Sequence, residues 1–178
     1  VIAGPFPYRT MNVPSIHSAF ASGSALATGI QSGLKARGEE NSRVIVWAGD
    51  GGTFDIGLQS LSGAIERRIP FTYVCYDNEA YMNTGIQRSS ATPLYASTTT
   101  SPSPKLKRES KKDIMEIMIS HKIPYAATAT IAYPEDLANK VKKAMAVDGP
   151  SFLHIFSPCP TGQGFAEKYS VKMSRLAV

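Results

Sequence analysis

One aspartate, Asp50, stands among the glycines Gly49, Gly51 and Gly52, directly after the apolar run "RVIVWA". Glycines let a backbone come close to a bulky anion and aim its N–H groups at it, and a helix starting just beyond adds a favourable dipole. A carboxylate in their midst would repel that anion unless a cation lay between them. A hard cation such as Mg²⁺ takes one or two carboxylate-type oxygens from protein and fills its other positions with phosphate oxygens and water. A second apolar run, "FTYVCY", leads into "DNEAYMNTGIQ". There Asn78 offers a neutral oxygen, a backbone carbonyl just beyond it offers another, and Asn83, Thr84 and Gln87 offer further hydrogen-bonding groups. Together these residue types suit a diphosphate joined to protein through a divalent cation. A plainer reading stands beside it: a tight strand-to-helix turn in which Asp50 caps the next helix. No Gly-Lys-Ser/Thr follows, as in a P-loop, and no third glycine or acidic strand end follows in register, as a dinucleotide fingerprint requires.

The elements that would position these residues follow from periodicity. Ile16, Ala19, Phe20, Gly23, Ala27, Ile30 and Leu34 recur at helical spacing and predict a helix from Pro14 to about Arg37, stopped by Gly38. Arg43 to Ala48 predicts a strand buried on both faces, Ile56 to Arg67 a helix, and Phe71 to Tyr76 a second buried strand. Residues 89–112 form a stretch too long for an ordinary connection, which suits a lid, a partner-wrapping arm or a mobile segment. Ser110 and Asp113 read as a capping box before a short helix, "YAATATI" as a third strand, Pro134 onward as a helix closed by Gly149-Pro150, and Ser151 to Phe156 as a fourth strand. This alternation predicts an α/β fold, a mostly parallel sheet with helices on both faces. Ligands of such sheets sit beyond the carboxyl ends of the strands, and Asp50, Asp77, Asn78 and Cys159 all follow strands at that edge.

Composition bounds the rest. The chain has 178 residues, 43% hydrophobic and 19% charged, which suits one globular domain spanning 1–178. No run approaches the roughly 18 apolar residues that cross a bilayer, so no membrane association and a cytoplasmic setting are expected. The net charge of +5 gathers partly in "KLKRESKK", read as a solvated loop or a docking patch for an acidic or phosphate-bearing partner. Aromatic residues do not interleave these basic ones, so nucleic-acid binding is not expected. Two cysteines in different settings argue against a disulfide framework and for a reducing compartment. Cys75 reads as core packing, His154 as a satisfied core or interface histidine, His121 as a helix end, and His17 as a residue that could approach a cofactor or partner. Gly23 and Ala27, with Gly57, Ser60 and Ala64, form small faces suited to close helix packing, within the chain or against a neighbouring subunit. The first residue is Val1, and a piece of a longer subunit is expected.

The paired segments "GDGGTFDIGLQSLSGAIER" and "YDNEAYMNTGIQRSSATP", with "CPTGQGF" near the end, resemble the thiamine-diphosphate-binding β subunit of 2-oxoacid:ferredoxin oxidoreductases, the pyruvate type in particular. The resemblance runs from about Pro14 to Phe165. It implies a thiamine-diphosphate-binding fold whose diphosphate-binding domain holds Mg²⁺ through Asp50, Asn78 and the backbone oxygen of Ala80. Gly49, Gly51 and Gly52 would line the diphosphate, with Asn83 near the diphosphate and the reacting centre, and Thr84 and Gln87 close by. Cys159 would be one ligand of a [4Fe–4S] cluster. The family's other three cluster cysteines lie upstream of the position where Val1 begins, and the chain departs from the family there. The implied activity is oxidative decarboxylation of pyruvate or a related 2-oxoacid, with the acyl group passed to coenzyme A and electrons passed through iron–sulfur clusters to ferredoxin. The implied partners are an α subunit supplying the aminopyrimidine side of the site, and γ- and δ-type subunits. Relatives acting on oxalate or aryl-glyoxylates, a non-oxidative thiamine-diphosphate decarboxylase or synthase, and a non-catalytic assembly module are the alternatives.

Overall fold

Four runs rich in β-branched and aromatic residues pair as a parallel sheet: β1 (Val44–Gly49), β2 (Phe71–Asp77), β3 (Tyr125–Thr130) and β4 (Ser151–Phe156), in the order β1-β2-β4-β3. They belong to a computed structural model that describes residues 12–39 and 41–178. The remaining helices are α1 (Gly23–Ala36), α2 (Leu58–Glu66), α3 (Ile114–Ser120), α4 (Pro134–Ala146), α5 (Pro160–Gln163) and α6 (Ser170–Leu176). Parallel strands need crossovers, and the helices that supply them cover both faces. On one face Ala27, Phe54, Leu61, Ile65, Phe71, Tyr73, Cys75, Ile114, Met118 and Phe152 form one core. On the other, Ala144 of α4 closes with Leu137 and Val141 over Val74, Leu153 and Ile155. The expected α/β architecture is therefore the one observed.

Two expectations need correction. The first helix begins at Gly23, not Pro14. Ile16 and Phe20 are exposed, so the apolar residues of that segment find no core to stabilise a longer helix. Phe20 instead meets Tyr81 edge-on, with ring centroids 6.2 Å apart. The strand β1 is buried on one face only: Ile45 is 51% and Trp47 48% exposed, because among the described residues β1 is the sheet edge and α4 packs on β2, β3 and β4. A continuous apolar run does not distinguish an edge strand from a central one. The small faces pack within the chain: Ala27 and Ala64 are buried in one core, and the Ala25 N–H donates to Ser60 Oγ. Asp113 caps α3 by accepting the Glu116 N–H at 3.0 Å, and His121 closes it.

At the amino end of the sheet, Arg43 donates to Thr72 Oγ1 at 2.8 Å, to the Val147 carbonyl at 2.7 Å and to the Gly149 carbonyl at 2.9 Å. This satisfied guanidinium ties β1, β2 and the α4–β4 connection together, leaving the opposite end for chemistry.

Between β1 and α2, Gly51–Asp55 forms a single π-helical turn. It depends on Gly57, where a Cβ would lie 2.0 Å from the Gly52 carbonyl oxygen. Gly57→Ala is expected to destabilise the protein by about 3 kcal/mol, at the upper end of overpacking costs. Gly33→Ala, whose Cβ meets nothing within 4 Å, is expected to be neutral or slightly stabilising in helix α1. Melting temperatures of the two variants check the contrast; equal effects would show that the turn adapts.

Candidate functional site

Asp50 is the first residue past β1, 1% exposed, and its carboxylate faces inward among polar groups. It makes no side-chain cap bond to the turn that follows, so the capping reading falls. Its Oδ2 accepts Ser89 Oγ at 2.5 Å. The π-helical turn behind it is held by Thr53, whose hydroxyl donates to the Gly49 carbonyl at 2.7 Å and lies 3.1 Å from the Tyr73 hydroxyl. Single π turns inside helical segments recur at functional sites.

The neighbouring strand ends at Asp77, and the loop beyond it brings Asn78 and Ala80 to Asp50. The terminal amide atom of Asn78 lies 3.1 Å from Asp50 Oδ1 and 2.9 Å from the Ala80 carbonyl oxygen. Amide oxygen and nitrogen differ only by the partners they keep. As nitrogen, the atom donates to both oxygens. As oxygen, it completes a triad of one anionic and two neutral oxygens. Oxygens bound to Mg²⁺ at 2.0–2.1 Å in octahedral geometry stand about 2.9 Å apart, so this spacing fits a hard divalent cation. No cluster of three or more His, Cys, Asp or Glu side chains exists among the described residues, so a softer, side-chain-only metal site has no donors here.

Burial pushes the Asp50 carboxyl up to about 7, helped by the charge of Asp77 and opposed by Ser89 and the backbone N–H groups of Asp50 and Asn78. Above 3.8 the unfolded chain has released this proton, while the folded, metal-free protein keeps it to about pH 7. Asp50 therefore contributes stability at low pH that is lost as pH rises through about 7. Cation binding has the opposite sign, because it needs the carboxylate. If a divalent cation held by Asp50 anchors the cofactor, the Mg²⁺ concentration needed for cofactor retention is expected to rise about tenfold per pH unit below pH 7 and to level off above it. Magnesium titrations on both sides of that pH check this, and a flat profile would contradict it.

The glycines also have a packing use. The place of a Cβ on Gly51 is taken by the Tyr81 ring, 2.1 Å away, and that of Gly52 faces the Phe20 carbonyl at 3.3 Å. Tyr81 donates through its hydroxyl to the Gly51 carbonyl at 3.1 Å and contacts Asp55 Oδ2 at 3.2 Å. Gly51 thus admits an aromatic brace for the turn. Thr84 and Gln87 bond each other in an exposed turn, where Gln87 Nε2 donates to the Thr84 carbonyl at 2.5 Å. They do not contact Asp50. Asn83 belongs to the same exposed turn, and His17 is exposed on the segment before α1.

Cys159 follows β4 and starts α5, its Sγ accepting the Gly162 N–H at 3.4 Å. Its loop rests on the Asn78 loop: Gln163 Nε2 reaches the Asn78 carbonyl at 3.5 Å, and the Ser157 N–H donates to the Asp77 carbonyl at 2.8 Å. Asp50, Asn78 and Cys159 therefore share one edge, as their positions after parallel strands imply. Cys75, by contrast, is fully buried in the core, and burial pushes its thiol well up.

Sequence reasoning missed several groups. Ser89 binds Asp50, Ser90 binds Asp55, and Lys112 reaches the Phe54 carbonyl. Lys107, 2% exposed, donates to the carbonyls of Thr92, Glu109 and Ser110. The 89–112 segment is thus fastened at both ends to the site, and its basic run is partly turned inward. Hydroxyls and lysines carry no local signature of such contacts.

Comparisons with known proteins show the family. Residues 3–155 match the family described as "Thiamine pyrophosphate enzyme, C-terminal TPP binding domain". The whole chain aligns at 53% identity with 60% of the ketoisovalerate oxidoreductase subunit VorB of Pyrococcus horikoshii. It aligns at 52% identity with 63% of the pyruvate synthase subunit PorB of Methanothermobacter thermautotrophicus. The chain thus spans about three fifths of the length of these relatives. Among solved structures, the 2-oxoglutarate:ferredoxin oxidoreductase of Magnetococcus marinus, with 2-oxoglutarate, coenzyme A and succinyl-CoA bound, superposes with a TM-score of 0.72. That match has 30% identity and covers 85% of this chain and 49% of the other. The chain belongs to the thiamine pyrophosphate enzyme family and carries its C-terminal TPP-binding domain.

Proposed function

We propose that this chain is the diphosphate-binding part of the catalytic β subunit of a 2-oxoacid:ferredoxin oxidoreductase, acting on pyruvate or a closely related 2-oxoacid. The observation that carries the reading is the convergence of Asp50, Asn78 and the Ala80 carbonyl at the carboxyl edge of the sheet. In this reading Asp50 Oδ1, Asn78 Oδ1 and the Ala80 oxygen hold Mg²⁺, and Ser89 occupies Asp50 Oδ2 so that one oxygen is kept for the metal. Asn83 sits toward the reacting end. Thiamine diphosphate supplies, when bound, the carbon nucleophile and electron sink that decarboxylation of a 2-oxoacid needs. The chain's own residues anchor its diphosphate, screen the charge and fix its position. In this reading the site is a half-site completed by an α subunit, with γ- and δ-type subunits, ferredoxin and coenzyme A as further partners in the cytoplasm.

Cys159 would supply one sulfur ligand at this edge, and a [4Fe–4S] cluster requires four ligands. The other three would come from outside the described residues. Relatives named for ketoisovalerate and for pyruvate are almost equally similar, so overall identity does not choose between a branched and a short 2-oxoacid.

Magnesium-dependent cofactor retention tests the reading. The purified complex is expected to lose thiamine diphosphate on treatment with chelator and to recover it only when Mg²⁺ and cofactor are both returned. Retention indifferent to chelator would overturn the assignment.

A further inference from the structure

Between the two proposed ligands Asn78 and Ala80 lies Glu79, a non-glycine residue at φ 69°. Side chains disfavour this left-handed conformation, so something must hold it. Four contacts do. The Glu79 N–H donates to Asp77 Oδ1 at 2.8 Å. Its carbonyl accepts Thr92 Oγ1 at 2.5 Å. Its carboxylate meets Lys111 Nζ at 3.3 Å. Asp77 itself is fully buried, and its Oδ2 accepts both Lys111 Nζ at 2.7 Å and His154 Nε2 at 2.8 Å. His154 is in turn braced edge-on by Phe54 of the π-helical turn, with ring centroids 5.5 Å apart.

We propose that Asp77, gripped by Lys111 and His154, is a positioning residue that fixes Glu79 in its left-handed conformation and so sets the Asn78 and Ala80 oxygens for a divalent cation. The proposal rests on the cation site of the preceding section and assigns no new ligand. The Asp77 carboxylate does not itself point at the cation: one oxygen holds the loop backbone and the other is taken by two donors. Lys111 comes from the end of the 89–112 segment, so that segment and the metal loop are one mechanical unit. A buried carboxylate with two charge-capable partners and a backbone N–H is a stiff anchor, because losing any partner leaves a desolvated charge short of a bond. Groups behind metal ligands that orient them change metal affinity by roughly 10–100-fold when removed.

The test uses the intact complex, stripped of metal and titrated with Mg²⁺ at fixed thiamine diphosphate, reading bound cofactor by equilibrium dialysis rather than turnover. Lys111→Met removes the ammonium and keeps an unbranched apolar stem. It is expected to raise the Mg²⁺ concentration for half-retention roughly tenfold, with full retention regained at excess Mg²⁺. Lys111→Arg is expected to recover most of the shift. A Lys111→Met titration that overlays the unsubstituted complex would overturn the proposal. So would a loss of retention that no Mg²⁺ concentration restores, with a lowered melting temperature of the metal-free complex, since that is ordinary fold damage. If the unsubstituted complex holds its cofactor without Mg²⁺, the cation reading itself falls, and this inference with it.

Discussion

Replacing Asp50 by asparagine is expected to lower retention of thiamine diphosphate by more than about 100-fold, beyond the range for groups that merely orient metal ligands. The substitution keeps the shape, an oxygen to accept Ser89 Oγ, and the π-helical turn behind it. What it removes is the single anionic donor among the three converging oxygens, and with it the charge that draws a divalent cation toward a buried position. The metal-free fold is expected to survive, because burial and the charge of Asp77 already disfavour an ionised carboxyl here and push it up to about 7. A melting curve equal to or above that of the metal-free parent, combined with lost cofactor, is the expected pair of results. Normal cofactor retention in the variant would remove Asp50 from the cation site.

If Cys159 ligates a [4Fe–4S] cluster as proposed, Cys159→Ser is expected to abolish electron delivery to an external acceptor while leaving cofactor retention in place. Serine is itself a favoured helix N-cap, so the start of α5 and its bond from Gly162 have a substitute, and the lost thiolate is isolated from damage to the loop. Cys75 offers no replacement, being enclosed in β2 among core side chains. The complex carrying the variant is expected to lose the visible absorbance and electron paramagnetic resonance signal of the cluster nearest the cofactor. An unchanged cluster spectrum would take Cys159 out of the ligand set and would favour a non-oxidative thiamine-diphosphate enzyme.

The strands and their shared edge were legible because each carries a short apolar run ended by a polar or glycine-rich turn, and parallel pairing then forces every such turn to one side. Asp50 and Asn78 were legible for the same reason: residue type and position after a strand together imply a site. What the sequence concealed depends on partners distant along the chain. Ile45 and Trp47 look like core residues until the strand order makes β1 an edge. Ile16 and Phe20 keep helical spacing but have no buried face to occupy. Ser89, Lys107 and Lys111 are ordinary residues in a polar stretch, and only the folded chain shows them joined to Asp50, Thr92 and Asp77. His154 reads from its strand as a satisfied core or interface histidine, and it is satisfied, with Asp77 as its partner at partial burial. The missing side chain of Gly51 also admits Tyr81, a packing use that its neighbours in sequence do not signal.

The most direct test of the central claim is anaerobic reduction of a viologen dye by the purified complex containing this chain. Pyruvate and 2-ketoisovalerate are supplied separately, each with and without coenzyme A. Dye reduction with at least one of them, dependent on coenzyme A and lost when thiamine diphosphate and Mg²⁺ are removed, is the result this account requires. Consumption of a 2-oxoacid with release of CO₂ and no dye reduction, in a complex shown to hold thiamine diphosphate and iron, would contradict it.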